Sequence, residues 1–405
     1  MYDNYKNMKK DVKFSSDIKE NNKKRILDIL RFGKNTKKQI ADKLNISIAT
    51  ASSLCNCLIK EGYLYSESTE SSEGGRIPLS YKLKETAKYS VSLNLVERDI
   101  ITVAFVNMKG DIVTQKHIPC THCEDASSLI KFSCNEIDTM LMEWQIGHED
   151  LMGIGIAVSG NEMKDDYIIR NCMANPLINN QCVRSIIEEH FSDVPVYIDN
   201  EANEAVLVLF REEQKVNPDI QDTVYLYIGD GVGVGIISNG RLIKGTHGIG
   251  GEINHMQIGK RGYECYCGQK NCVETEISVV GFQKKFFEDI GIYHLPNRYG
   301  WEIMENYVKS GDLVAMNLME ENGTLIGYTL SVLSQIFDSP TYWIGGFDEY
   351  IFNQLYPHIM KELNKRSVFK EVIQYQVKFD KGFHDIITRG CYELVFQNWM
   401  LSGGR

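Results

Sequence analysis

Residues 251–274 read GEINHMQIGKRGYECYCGQKNCVE, and this stretch decides how the body of the chain is read. It places His255 ahead of Cys265, Cys267 and Cys272, three thiols within eight residues. Thiolates and one imidazole surround a zinc ion tetrahedrally at roughly 2.0–2.3 Å, and four protein ligands leave no open position for a catalytic water. The reading is therefore one structural Zn2+ per chain. Redox-active or merely buried thiols are the competing reading, but the glycines and polar residues between the cysteines suit a tight loop better than a core. Glu252 and Glu274 flank the ligands, and Asp199-Asn200-Glu201-Ala202-Asn203 falls at an expected strand-to-helix junction. Carboxylates and amides in such a place suit sugar hydroxyls, because each accepts or donates in a fixed direction.

Around this stretch the chain alternates strands and helices. Val91–Leu95 and Ile100–Asn107 read as strands, Ala126–Trp144 as a helix and Gly153–Val158 as a further strand. Val196–Ile198, a helix over Asn203–Phe210, and a hairpin of Val224–Ile228 with Gly233–Ile237 repeat the theme. The pattern predicts an α/β body of two lobes with a cleft between them.

Ahead of the body lies a different module. Ile26, Leu27, Ile29, Leu30 and Phe32 fall near one helical stripe within residues 21–32. Thr36 is placed to cap a second helix over Lys37–Leu44, and Ser47 a third. Along the third, Ala51, Leu54, Leu58 and Ile59 form the inner side. Ser47, Ala49, Thr50, Ser52, Ser53 and Asn56 are small or polar and suit close entry into the roughly 12 Å wide major groove. Tyr63–Tyr65 and Leu79–Leu83 read as two short strands of a wing. Its tip carries Arg76 behind Gly74 and Gly75, a side chain suited to a minor groove or a phosphate. A purely structural three-helix or dimerisation module is the competing reading.

The charge distribution agrees with this division. Residues 1–88 hold 18 Lys and Arg against 11 Asp and Glu, a net +7, leaving 26 against 43, or −17, for the rest. A basic head on an acidic body suits a head that meets nucleic acid. Eleven cysteines, an odd number unevenly spread, and a polar start from Met1 to Glu20 point to a cytoplasmic protein. No apolar run approaches the roughly 20 residues needed to cross a bilayer, so no membrane partner is expected. The domains expected are a tail over 1–20, disordered or touching DNA, a winged helix-turn-helix over 21–85, one lobe over 89–197 and a second over 198–384. A C-terminal helix at about 385–400 is expected to pack back on the first lobe.

The Gly251–Met256 segment, the Cys-x-Cys-Gly-x-x-x-Cys-x-Glu run ending at Glu274, Gly155-Ile156-Ala157-Val158-Ser159-Gly160 and Asn200-Glu201-Ala202-Asn203 together resemble the ROK family of repressors and sugar kinases. The resemblance spans nearly the whole chain, head included, where Ile46–Ser53 resembles a recognition helix, with Ile48 at a place often held by Arg or Lys. It implies an actin-like, ribonuclease-H-like double lobe, sugar held between the lobes, and homodimers or homotetramers. Carried over, it puts Asn200, Glu201, Glu252, His255 and Glu274 on the sugar hydroxyls, with Asn175 and Gly160 as further contacts. His255 would then bind metal with one ring nitrogen and reach sugar with the other.

Within that resemblance the chain departs from the kinases. Glu201 stands where they carry an aspartate general base, and one added methylene displaces the carboxylate from in-line geometry. Ser92-Leu93-Asn94-Leu95-Val96 lacks the glycines of their phosphate loop, Asp230 stands where they prefer Thr, and Phe347 adds bulk to the adenosine side. The glycines of Gly229–Gly235 are expected to persist because their turn needs them. The sequence thus predicts a non-enzymatic, sugar-responsive repressor of carbohydrate-utilisation genes, most like the xylose-type repressors, binding operator DNA and answering to a small sugar. An active sugar kinase is the alternative.

Overall fold

A computed structural model describes residues 15–68, 79–292 and 300–402. The head begins with α1 (Ser15–Arg31), which starts earlier than residue 21 because its first turns are polar and carry no apolar stripe; Lys23 anchors them to Glu20 at 3.0 Å. After β1 (Asn35–Thr36) comes α2 (Lys37–Leu44). Thr36 Oγ1 accepts from the Gln39 amide and Gln39 Oε1 from the Thr36 amide, a reciprocal cap. Asn45 ends α2 in the left-handed region, and Ser47 caps α3 (Ile48–Lys60) by accepting from Thr50 N at 3.0 Å. β2 (Leu64–Ser68) and β3 (Leu79–Leu83) pair antiparallel, with β1 on the far side of β3. The wing tip that holds Arg76 and the tail before Ser15 lie outside the described residues.

The first lobe is a sheet of β4 (Tyr89–Asn94), β5 (Ile100–Asn107), β6 (Ile112–Pro119), β7 (Leu151–Val158) and, after the small β8 (Asn161–Glu162) and β9 (Ile169–Arg170), β10 (Val196–Asn200). α4 (Ala126–Trp144) and α5 (Val183–His190) cover it. Its order is β10-β7-β4-β5-β6, an antiparallel meander extended by two parallel strands. β7 is buried at every residue, as a strand covered on both faces must be.

The second lobe repeats this plan. α6 (Glu201–Val216) leads into β11 (Thr223–Ile228), β12 (Val232–Ser238) and β13 (Arg241–Leu242). α7 (Val273–Ile277), α8 (Val279–Asp289), α9 (Trp301–Lys309) and α10 (Leu313–Phe337) follow, then β14 (Thr341–Gly345), α11 (Glu349–Arg366), β15 (Gln376–Phe379) and α12 (Phe383–Ser402). The strand order β13-β12-β11-β14-β15 has the same antiparallel and parallel pairings as the first sheet.

The helix that follows the last strand of each sheet crosses to the other sheet: α6 packs on β11 and β12, and α12 on β4 and β7. Two glycines permit the approach. A Cβ at Gly155 would lie 2.4 Å from the Cys391 carbonyl oxygen of α12, and one at Gly235 would lie 2.1 Å from that of Ala202 on α6. This corrects the expectation for Gly229–Gly235: Gly235 is required by helix-on-sheet packing rather than by a turn, and none of its four glycines has a positive φ. α12 also carries Tyr392, Phe396 and Trp399 into the core of the head, so head and first lobe share one apolar cluster.

Candidate functional site

A cavity of about 1500 Å3 opens between the lobes, at the ends of β7 and β10 and the β11–β12 turn. This is where open α/β sheets place ligands, beyond the carboxyl ends of parallel strands. Asn200 caps α6, its Oδ1 accepting from Ala202 N at 2.9 Å while Nδ2 donates to the Gly160 carbonyl at 3.3 Å. Glu201 follows, 5% exposed and facing the cavity, with Oε2 buried and unpartnered. Burial, helped by Glu252, Glu274 and Asp199, pushes its carboxyl up to about 8. Glu274 Oε2 accepts from Asn254 Nδ2 at 3.0 Å, and burial raises this carboxyl to about 7. Glu252 Oε1 accepts from Asn161 Nδ2 at 2.6 Å.

The four candidate metal ligands converge, their donor atoms all within 4.8 Å of one another. Cys265 Sγ lies 3.5 Å from His255 Nδ1, and Cys267 Sγ 3.7 Å from Cys272 Sγ. A tetrahedron with bonds of 2.0–2.3 Å has edges of about 3.3–3.8 Å, so the donor set fits a zinc-like ion. Turns make the knuckle: Gly268 N donates to Cys265 O, and Asn271 adopts φ 63° to bring Cys272 back beside Gln257. Cys272 directly precedes α7, which carries Glu274, while His255 closes the turn that carries Glu252 and Asn254. The ligand positions and three polar groups of the cavity wall thus share one short piece of backbone. The other ring nitrogen of His255 lies 3.2 Å from Tyr266 Oη and 3.7 Å from Glu252 Oε2.

Asn200, Glu201, Glu252 and Glu274 line the cavity; His255 sits behind Glu252 and Tyr266, which do. Asn175 lies behind the wall, fully buried, donating to the Leu95 and Glu97 carbonyls at 2.9 and 3.2 Å and so fixing the end of β4. Gly160 faces backbone, a Cβ there lying 2.4 Å from the Arg170 carbonyl oxygen, and it meets the site through its own carbonyl. Sequence reasoning passed over Asn161, Asn254 and Tyr266. Asn254 and Tyr266 stood beside the metal ligands in the chain, but only the fold turns them inward. Among the described residues, nine lining side chains are Asp or Glu and two are Lys or Arg, and these two cations have acidic neighbours, Arg98 with Asp99 and Lys381 with Glu349.

On the head, Ser47, Ala49, Thr50, Ser53 and Asn56 are exposed along one side of α3; Ser52 is half-buried and Ile48 is exposed. Ala51, Leu54, Cys55 and Leu58 form its inner side.

The ROK family model matches residues 92–384. The xylose repressor of Caldicellulosiruptor bescii is 27% identical over 379 residues, covering 90% of this chain and 92% of the relative. A crystal structure of a ROK family transcriptional regulator, described as a homologue of the E. coli MLC protein, superposes with TM-score 0.78 at 18% identity, covering 95% of this chain and 98% of that one. A ROK hexokinase from Thermus thermophilus superposes with TM-score 0.62 at 18% identity, covering 76% of this chain and 99% of that one. At such identity the two structures speak to the fold alone, and they bear out the double lobe. With its model matched across both lobes, the chain belongs to the ROK family.

Proposed function

We propose that the protein is a cytoplasmic, sugar-responsive transcriptional repressor of carbohydrate-utilisation genes, without enzymatic activity. One observation carries the reading: α6 begins in the cleft with Glu201 and reaches the head with Arg211, 3.5 Å from Asp28 of α1. A single rigid element therefore touches both the ligand cavity and the DNA-facing module. The xylose repressor relative, matched along nine-tenths of this chain, supports the same reading and makes a pentose the leading effector.

In this reading Asn200, Glu201, Glu252 and Glu274 hold the sugar hydroxyls, with His255 orienting Glu252 and with Asn175 and Gly160 fixing the backbone behind them. His255, Cys265, Cys267 and Cys272 hold one structural zinc, which supplies rigidity to the wall and no reaction chemistry. Ser47, Ala49, Thr50, Ser52, Ser53 and Asn56 meet the major groove, and Arg76 a minor groove or a phosphate. In a homodimer or homotetramer, a sugar that favours one lobe arrangement changes the spacing of paired heads relative to operator half-sites. Turning binding from mostly on to mostly off requires a difference of about 5 kcal/mol in affinity for the two states. Against a kinase stand Glu201 in place of the family's aspartate base and an acidic lining that repels phosphates.

The test is fluorescence anisotropy of the zinc-loaded protein on its own upstream DNA, at fixed salt, with xylose, glucose and N-acetylglucosamine titrated in. Tight binding reversed by one sugar is the expected result; ATP turnover with any of them would support the kinase. Glu252→Ala is expected to keep DNA binding and lose sugar release, and normal release in that variant would take Glu252 out of the pocket.

A further inference from the structure

The cavity is larger than one sugar needs. A drug-sized ligand is accommodated by roughly 300–1,000 Å3, whereas this cleft encloses about 1500 Å3. Its two ends also differ in chemistry. One is the carboxylate and amide wall of Glu201, Glu252 and Glu274. The other is aromatic: Trp301, Phe347 and Phe379 line it, with Trp301 and Phe347 edge-on at 5.2 Å and Phe347 and Phe379 nearly parallel, their planes 12° apart. The indole N–H of Trp301 donates to the Ile228 carbonyl at 3.1 Å, which fixes that ring, and Phe379 stacks on Phe352 behind it at 5.1 Å. Gly231 borders the carboxylate wall, and the nearest atoms to a Cβ there would be those of the Glu274 carboxyl, at 3.8 Å.

We propose that the effector is a short oligosaccharide, with one ring on the carboxylate wall and the next against Trp301, Phe347 and Phe379. This rests on the reading of the cleft as a sugar site and extends it. The C–H face of a pyranose ring is apolar and lies flat on an aromatic wall, while its edge hydroxyls meet Asp230 and Asp348, which border the same end. A nucleotide is the other occupant such a wall could take. Among the described lining residues, seven Asp or Glu besides Glu201 and Glu274 stand against two cations, each beside an acidic neighbour, and this balance disfavours its phosphates.

The experiment is calorimetric titration of the full-length protein with xylose, xylobiose and xylotriose, with glucose and cellobiose, and with ADP. In one of the two series the disaccharide is expected to bind at least tenfold more tightly than its monosaccharide. Phe347→Ala should remove that advantage while leaving monosaccharide affinity unchanged. Because Phe347 also packs in the second lobe, Phe347→Leu serves as a second variant: it keeps the apolar packing, removes the flat ring and should discriminate in the same way. A monosaccharide that binds as tightly as its disaccharide overturns the extended site and leaves the sugar reading intact. ADP binding that Phe347→Ala abolishes assigns the aromatic end to a nucleotide and overturns the proposal. Absence of binding by every sugar overturns both the proposal and the sugar reading.

Discussion

Glu201 is the residue whose environment is most at odds with its chemistry. Its carboxyl is buried with one oxygen unpartnered and has Glu252, Glu274, Asp199 and the Tyr227 phenol as ionisable neighbours. The folded state therefore holds its proton up to about pH 8, whereas the unfolded chain releases it near 4.5. Between those values the native state binds more protons, so stability is highest below the window and falls as pH rises through it. Glu201 alone should lower the melting temperature from pH 5 to pH 8 by an amount equivalent to as much as about 4 kcal/mol, and Glu201→Gln should reduce the slope to the part that the other raised carboxyls, Glu204 and Glu274, contribute. An unchanged slope would show that Glu201 does not carry the effect. At the same scale, Asn56 is exposed on α3 and contributes nothing to the core. Asn56→Ala should weaken operator binding by about 1–3 kcal/mol with no change in melting temperature; equal affinity for operator and scrambled DNA in the parent protein would remove the premise.

The elements differ in what holds them. α2 and α3 are closed by side-chain caps that are local in sequence, whereas the knuckle over 255–272 rests on the second-lobe core through Met256 and Ile258 and brings three thiols and an imidazole within reach of one ion. In the proposed zinc-loaded protein an ion that neutralises the thiolates would hold this loop, and through it the positions of Glu252, Asn254 and Glu274. One equivalent of zinc per chain is expected by elemental analysis. Removal by a strong chelator should abolish the sugar response before it abolishes DNA binding, since none of the four ligand residues belongs to the apolar cluster of the head. Cys272→Ser should reproduce the chelated state. Loss of DNA binding together with the sugar response would place the metal in the head's stability instead.

At the level of the whole molecule, the head is fastened by a buried charge network. Arg31 of α1 pairs with Glu393 of α12 through both terminal nitrogens, and its guanidinium lies 4.3 Å from the ring centre of Phe396 and 4.9 Å from that of Tyr392. Arg211 of α6 approaches the same carboxylate at 3.7 Å. Burial pushes the Glu393 carboxyl up, but Arg31 and Arg211 outweigh it and hold it below its ordinary value. Glu393→Gln leaves the buried Arg31 with only the half-buried Asp28, 3.4 Å away, as countercharge and should cost up to about 3 kcal/mol, seen as earlier proteolysis of the head from the body. Arg211→Leu leaves the Arg31–Glu393 pair in place and removes the ion-pair link from α6 to α1, while Lys215 of α6 stays over the Phe32 ring at 5.7 Å. It should preserve operator affinity and raise the sugar concentration for half-release at least tenfold; an unchanged midpoint would show that α6 does not transmit.

Much of this was legible in the chain, because the signals were local. The caps at Thr36 and Ser47, the strand at Ile100–Asn107, the helix at Ala126–Trp144 and the knuckle cysteines each depend on residues close in sequence, and the structure places them at the same positions. Four long-range outcomes were not legible. Asn175 turned out to brace backbone, Gly235 to admit a helix, Asn161 to hold Glu252, and Arg31 to meet a carboxylate 362 residues away. A sequence fixes propensity, capping and ligand spacing through neighbours. Which buried polar group finds which partner depends on two sheets built on one plan exchanging their last helices, and that is decided only when the lobes pack.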